Sequence, residues 1–110
     1  MELAYTQIWN SDRHGYTEDV DLTGATLNYA YFEKANLKNA NLSTNLKDSF
    51  LLGVNLQGVN LQDAHLQGAI LTNAKYNTET IIDIIGIHTI PTKFPDNFDP
   101  ESNRMIINNI

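Results

Sequence analysis

The chain has 110 residues, no cysteine, and a formal charge of −6 from 13 Asp and Glu against 7 Lys and Arg. That length fits one domain. The composition excludes disulfides and thiolate chemistry and disfavours nucleic acid as a partner, because phosphate binding needs a positive patch. Residues 1–7 lack a basic start followed by an apolar stretch, and no apolar run approaches the roughly 18 residues that span a bilayer. The expectation is a cytoplasmic protein with no membrane partner.

Taken in chain order, the first element is short. Tyr5, Ile8 and Trp9 stand at the spacing of one helix face. Residues 1–19 read as an N-terminal cap.

Residues 20–78 are a repeat. Leu22, Leu27, Phe32, Leu37 and Leu42 recur every five residues; Leu46, Leu51, Leu56, Leu61, Leu66, Leu71 and Tyr76 continue in a second register. The step from Leu42 to Leu46 is one residue short, which predicts an altered turn at Ser43-Thr44-Asn45. Two residues before each large residue lies a small one: Val20, Ala25, Ala30, Ala35, Ala40, Thr44, Ser49, Val54, Val59, Ala64, Ala69 and Ala74. A period of five fits neither a helix nor a plain strand. On an α-helix each repeat would drift by about 140°, smearing the leucines around the circumference. Small-polar-large is a strand-like alternation too short to stand alone, and the remaining two residues supply a turn. The consistent solution is a coil of very short strands joined by tight turns, with backbone bonds running between successive coils.

Units such as Ala35-Asn36-Leu37-Lys38-Asn39 and Val59-Asn60-Leu61-Gln62-Asp63 resemble the pentapeptide-repeat family, with its A-(D/N)-L-x-x signature. The resemblance implies an all-β fold, a right-handed quadrilateral β-helix with four pentapeptides per coil. Twelve units then make about three coils, with short helical caps at one or both ends. Ile8-Trp9-Asn10, Arg13 and Glu18-Asp19 resemble the lead-in of many cyanobacterial members, where a short helix with a Trp-Asn pair covers the first coil; this implies a cap-anchor role for Trp9.

Residues 79–110 read as the C-terminal cap. Residues 76–80 and 93–101, the latter carrying F-P-x-x-F-D-P-E, resemble a common ending of the family. Asp99 before Pro100 reads as a helix N-cap with proline at the first helical position. A short helical turn is expected at about 100–104, packed through Phe94, Phe98 and Met105. Between the two halves lies an isoleucine-rich insertion, residues 81–92, with Gly86 near a turn. Two arrangements are open. It folds back on the array as a larger cap, or it projects as an edge that pairs with another chain through Ile82, Ile84, Ile85 and Ile87.

No constellation for catalysis, cofactor or metal stands out. His14, His65 and His88 lie in three different segments without a second ligand at metal spacing. No phosphate-binding or nucleophile-elbow motif occurs. The reading is therefore a non-enzymatic structural or protein-interaction module. Folding the array four units per coil stacks its outward residues on four faces. These carry Asp21, Asn41 and Asn60; Thr26, Asn45 and His65; Tyr31, Phe50 and Ile70; and Asn36, Asn55 and Lys75. Only the third is apolar, with Leu52 beside Phe50 and Tyr29 at the neighbouring corner. These five residues are the candidate surface for an unidentified protein partner, unless residues 81–92 cover them.

Some members of the resembled family protect DNA gyrase by mimicking DNA, which makes gyrase binding the alternative. A DNA mimic needs negative charge ranked along a long rod. Here Asp21, Glu33, Asp48 and Asp63 are balanced by Lys34, Lys38, Lys47 and Lys75, so the array is neutral and the acidic excess sits in the two ends.

Overall fold

The computed structural model describes residues 21–110. The helix expected around Tyr5, Ile8 and Trp9, and His14 with it, lie outside the described residues. Residues 21–77 wind as a four-sided coil. Parallel bridges join Asp21 to Asn41 and Asn41 to Asn60, Thr26 to Asn45 and Asn45 to His65, Tyr31 to Phe50 and Phe50 to Ile70, and Asn36 to Asn55 and Asn55 to Lys75. These are the four faces laid out by the repeat register.

Each rung is built from the same two bonds. The N–H of a large-column residue donates to the outward residue of the next coil, as in Leu27 to Asn45 at 2.9 Å and Leu51 to Ile70 at 2.8 Å. The N–H of that outward residue donates back to the small-column carbonyl below, as in Asn55 to Ala35 at 3.0 Å and Ile70 to Ser49 at 3.0 Å. One residue per face therefore carries a whole rung, which is why each strand shrinks to a single bridge. The Asn of the repeat has a local task as well. The Oδ1 atoms of Asn36, Asn41, Asn45, Asn55 and Asn60 each accept the N–H two residues on, at 2.9–3.2 Å. This Asx bond starts the corner. The corner closes with an N–H from the small residue to the preceding large-column carbonyl, as in Ala30 to Leu27 at 3.0 Å. Its third residue takes a positive φ, as at Asn39 (63°) and Asn73 (63°), which is the type II turn pattern.

The interior is solid. Phe32, Leu37, Leu42, Leu46, Leu51, Leu56 and Leu61 are fully buried, and Ala30, Ala40, Val54 and Val59 line the close wall. Each such large side chain contributes about 1.5–3 kcal/mol by leaving water. The four-residue side bends at Thr44, where the Thr44 hydroxyl donates to the Ala25 carbonyl. The ladder resumes above it, with His65 N–H on the Thr44 carbonyl at 3.0 Å.

The array extends beyond the three coils read from its period. Lys93 bridges to Asn60, placing Thr92-Lys93-Phe94 over Val59-Asn60-Leu61. On the fourth face, strand β1 (Lys75–Tyr76) pairs in parallel with β4 (Ile106–Ile107). Two sides of a fourth coil are thus supplied by segments flanking the insertion and the final turn. Phe94, Phe98 and Met105 close the lumen: Phe94 meets Tyr76 edge-on at 5.4 Å and stacks on Phe98 at 5.1 Å. Residues 100–104 form a single turn. Asp99 Oδ1 accepts the Glu101 N–H at 3.0 Å, as an N-cap does. Arg104 N–H to Glu101 carbonyl (3.0 Å) and Met105 N–H to Pro100 carbonyl (3.1 Å), with Arg104 at φ 58°, form a Schellman ending.

Candidate interaction surfaces

The third face is laid out by the repeat register. Tyr31 and Phe50 are bridged neighbours, and their rings lie 4.7 Å apart at 53°. Ile70 continues the stripe on the next coil. Tyr31 is 45% and Ile70 40% exposed, while Phe50 and Leu52 are half-buried. Tyr29 stands exposed at the corner beside them and is itself engaged in a contact. None of Tyr31, Phe50 and Ile70 can supply the Asx acceptor that Asn provides elsewhere. On this face the outward position gives up a corner bond in all three coils.

The insertion is a hairpin, and no hydrogen bond or ring contact among the described residues joins it to Tyr31, Phe50, Leu52 or Ile70. Strand β2 (Ile81–Ile82) pairs antiparallel with β3 (His88–Thr89). The loop between them is set by its own residues. Asp83 opens it, its Oδ1 accepting the N–H groups of Ile85 (3.0 Å) and Ile87 (2.9 Å). Gly86 closes it at φ 85°, its N–H on the Asp83 carbonyl at 3.0 Å. This is a three-residue hairpin loop, a tight turn followed by a left-handed glycine. Ile82, Ile84, Ile85 and Ile87 are all exposed, Ile84 completely.

The base of the arm is fixed by a residue with no marked sequence signal. Asn77, at 1% exposure, is buried where the array ends. Its Oδ1 accepts the Gly58 N–H at 2.8 Å, and its Nδ2 donates to the carbonyls of Glu79 and Ile90, each at 2.9 Å. Its main chain exchanges bonds with Thr92, whose hydroxyl donates to the Leu56 carbonyl at 2.7 Å. An Asn at a position that is polar in every unit except that of Leu52 gave no hint of this role. A second contact is Gln57, whose amide donates to the Asn108 carbonyl at 2.9 Å and holds the tail.

His65 and His88 are exposed and lie on different elements. Among the described residues, no three His, Asp or Glu side chains gather where they could hold a metal ion. No helix among them is long and apolar enough to cross a membrane. The clefts along the open side of the last coil are shallow spaces between it and the 95–104 loop. One of ≈ 310 Å³ lies between Ala64–Gln67 and Pro95–Phe98.

The family model for pentapeptide repeats matches residues 18–43 and 43–75, as eight copies. The chain belongs to the pentapeptide-repeat family. Its fold is accordingly a right-handed quadrilateral β-helix, and within this family it is a repeat module. Two solved pentapeptide-repeat proteins from cyanobacteria are similar to it. Alr5209 from Nostoc Pcc 7120 is 28% identical over 97% of this chain and 80% of its own, with a TM-score of 0.48. Rfr23 from Cyanothece 51142 is 28% identical over 91% of this chain and 70% of its own, with a TM-score of 0.34. A search of the curated proteins gives no match. Against the regular pentapeptide pattern, this member departs in three places: the apolar third face, the four-residue side at Thr44, and the isoleucine arm.

Proposed function

We propose that this pentapeptide-repeat protein is a non-enzymatic protein-interaction module that binds a partner through the Tyr31, Phe50, Leu52 and Ile70 face, with Tyr29 at its border. The observation that carries the reading is the chemistry of that face. On the other three faces the outward column of residues 21–75 is polar, and it includes the Asn and Asp side chains that tie down the corners. On this face three apolar residues replace them in successive coils, at the loss of the corner bond and with no gain to the interior, which the leucine column already fills. Surface apolar residues aligned in this way mark contact sites. The arm with Ile82, Ile84, Ile85 and Ile87 supplies a second contact surface.

The test is affinity capture from the native cell with the wild-type chain and with Phe50→Asp. A charge in the centre of the stripe should remove a specific partner from the wild-type set while leaving the melting transition in place. An identical partner list for both proteins would overturn the assignment of this face.

A further inference from the structure

The hairpin arm has two unlike edges. The Asp83 N–H bonds the Ile87 carbonyl at 3.1 Å, and the register sets Ile81 opposite Thr89 and Ile82 opposite His88. Together these fix the parity of the ladder. The main-chain groups of Ile81 and Thr89 face each other. Those of Ile82 and His88 face away from the hairpin. On the β3 side the outward Ile90 carbonyl is held by the buried Asn77 amide at 2.9 Å, so this edge is anchored to the array. On the β2 side the outward groups of Thr80 and Ile82 have no main-chain partner among the described residues. They open on a groove of ≈ 510 Å³ whose lining includes Lys38, Thr80, Ile82, Asp83, Ile84 and the tail residue Ile110. Ile82 is 61% exposed at that edge.

We propose that this groove takes β2 of a second copy, antiparallel across a two-fold axis, with Ile82 opposite Ile82 of the second copy. The edge is self-complementary. Ile82 presents one N–H and one C=O outward, and an antiparallel residue facing itself exchanges two such bonds. In that register Thr80 lies beside Ile84 of the second copy, a turn residue that adds an apolar contact and not a further rung. Asp83 falls opposite Ile81 of the second copy, so two carboxylates are not set against each other. The Asp83 carboxylate is in any case turned into its own loop. A lone two-stranded hairpin is marginal in water, whereas four strands sharing an apolar face are not. Doubling the hairpin gives the exposed isoleucines the neighbours they lack in one chain. The occupant rests on the reading of the chain as a contact module, but on a surface separate from the Tyr31–Phe50–Ile70 face.

Sedimentation velocity of the full chain tests this. The wild type should sediment with twice the chain mass. Ile82→Pro removes the outward N–H without touching a bond inside the hairpin, so it should fold and sediment with the single-chain mass. His88→Pro makes the same change on the opposite edge and should remain at twice the chain mass. Because the protein has no cysteine, Ile82→Cys gives a second readout: it should oxidise to a linked pair, since residues opposite each other here lie about 5.5 Å apart. Phe50→Asp should not alter the mass, which separates a failure here from a failure of the partner face. A wild type at single-chain mass overturns the proposal. So does Ile82→Pro at twice the chain mass, or an Ile82→Cys chain that stays unlinked while Ile85→Cys links.

Discussion

The main chain of Asn77 and the side chain of Thr92 hold each other across 15 positions: the Asn77 N–H donates to the Thr92 hydroxyl at 3.2 Å. The pair joins the last full coil to the segment that starts the fourth. Asn77→Ala removes a buried amide that serves Gly58, Glu79, Ile90 and Thr92. It should cost about 3 kcal/mol, because several buried groups lose their partner together. Urea denaturation measures the loss. Limited proteolysis should then cut within residues 79–91 first, as the arm loses its anchor.

Gly58 lies under the same corner at φ 70°, with its N–H on the Asn77 side chain. A Cβ there would meet the Asn39 side chain and stand 2.8 Å from Thr89 Cγ2. Gly24 has a similar φ, 76°, with nothing among the described residues within 4 Å of an added Cβ. Gly24→Ala should therefore carry only the backbone penalty, about 1 kcal/mol, and Gly58→Ala about 3 kcal/mol once the clash is added. Equal losses in thermal denaturation would mean that the base of the arm yields freely.

Thr44 and Ser49 occupy equivalent places in the small column and should respond in opposite ways. Thr44 donates its hydroxyl to the Ala25 carbonyl at the four-residue side. Thr44→Val should lose about 1–2 kcal/mol. Ser49 is fully buried and its Oγ has no partner among the described residues. Ser49→Ala should leave stability unchanged or raise it by up to about 1 kcal/mol, since it removes an unsatisfied hydroxyl. Denaturant midpoints at constant slope decide both.

Tyr76 gives the fold an alkaline limit. Burial, then the charges of Glu101 and Asp99, push its phenol above the ordinary value of 10.0. A raised value means that the fold favours the neutral ring. That stability is present below the unfolded value and is lost as pH rises through the higher folded one. Thermal midpoints should fall as pH is taken above 10, and Tyr76→Phe should flatten that fall.

The repeat was legible because one residue type per position is enough to build a rung. Leucine spacing gave the four faces and their register, down to the bridge of Tyr31 with Phe50. The capping trio Phe94, Phe98 and Met105 and the Asp99 cap were also readable, since apolar spacing and an Asp-Pro start are local signals. The fourth coil was not. Thr92-Lys93-Phe94 repeats small-polar-large, but it stands a full arm's length out of phase. Ile106–Ile107 finds its place through pairing with Lys75–Tyr76, which no local pattern encodes. The direction of the arm was undecided for a similar reason. It depends on Asn77, whose role comes from burial and not from residue type. Among the candidate contacts, the faces came from counting, while the unlike edges of the hairpin required its hydrogen-bond parity.

The divided fourth coil also bears on the order in which the molecule can form. The sides contributed by residues 21–77 each touch a neighbour about twenty positions away, so winding can advance turn by turn while the polypeptide is still being synthesised. Lys93 and Ile106 must instead return over a longer stretch of chain to Asn60 and Lys75. Until they do, the upper rim stays unzipped and Tyr76 is without the aromatic lid. Loop-closure entropy grows with that separation, so the rim is the part of the array expected to zip up last.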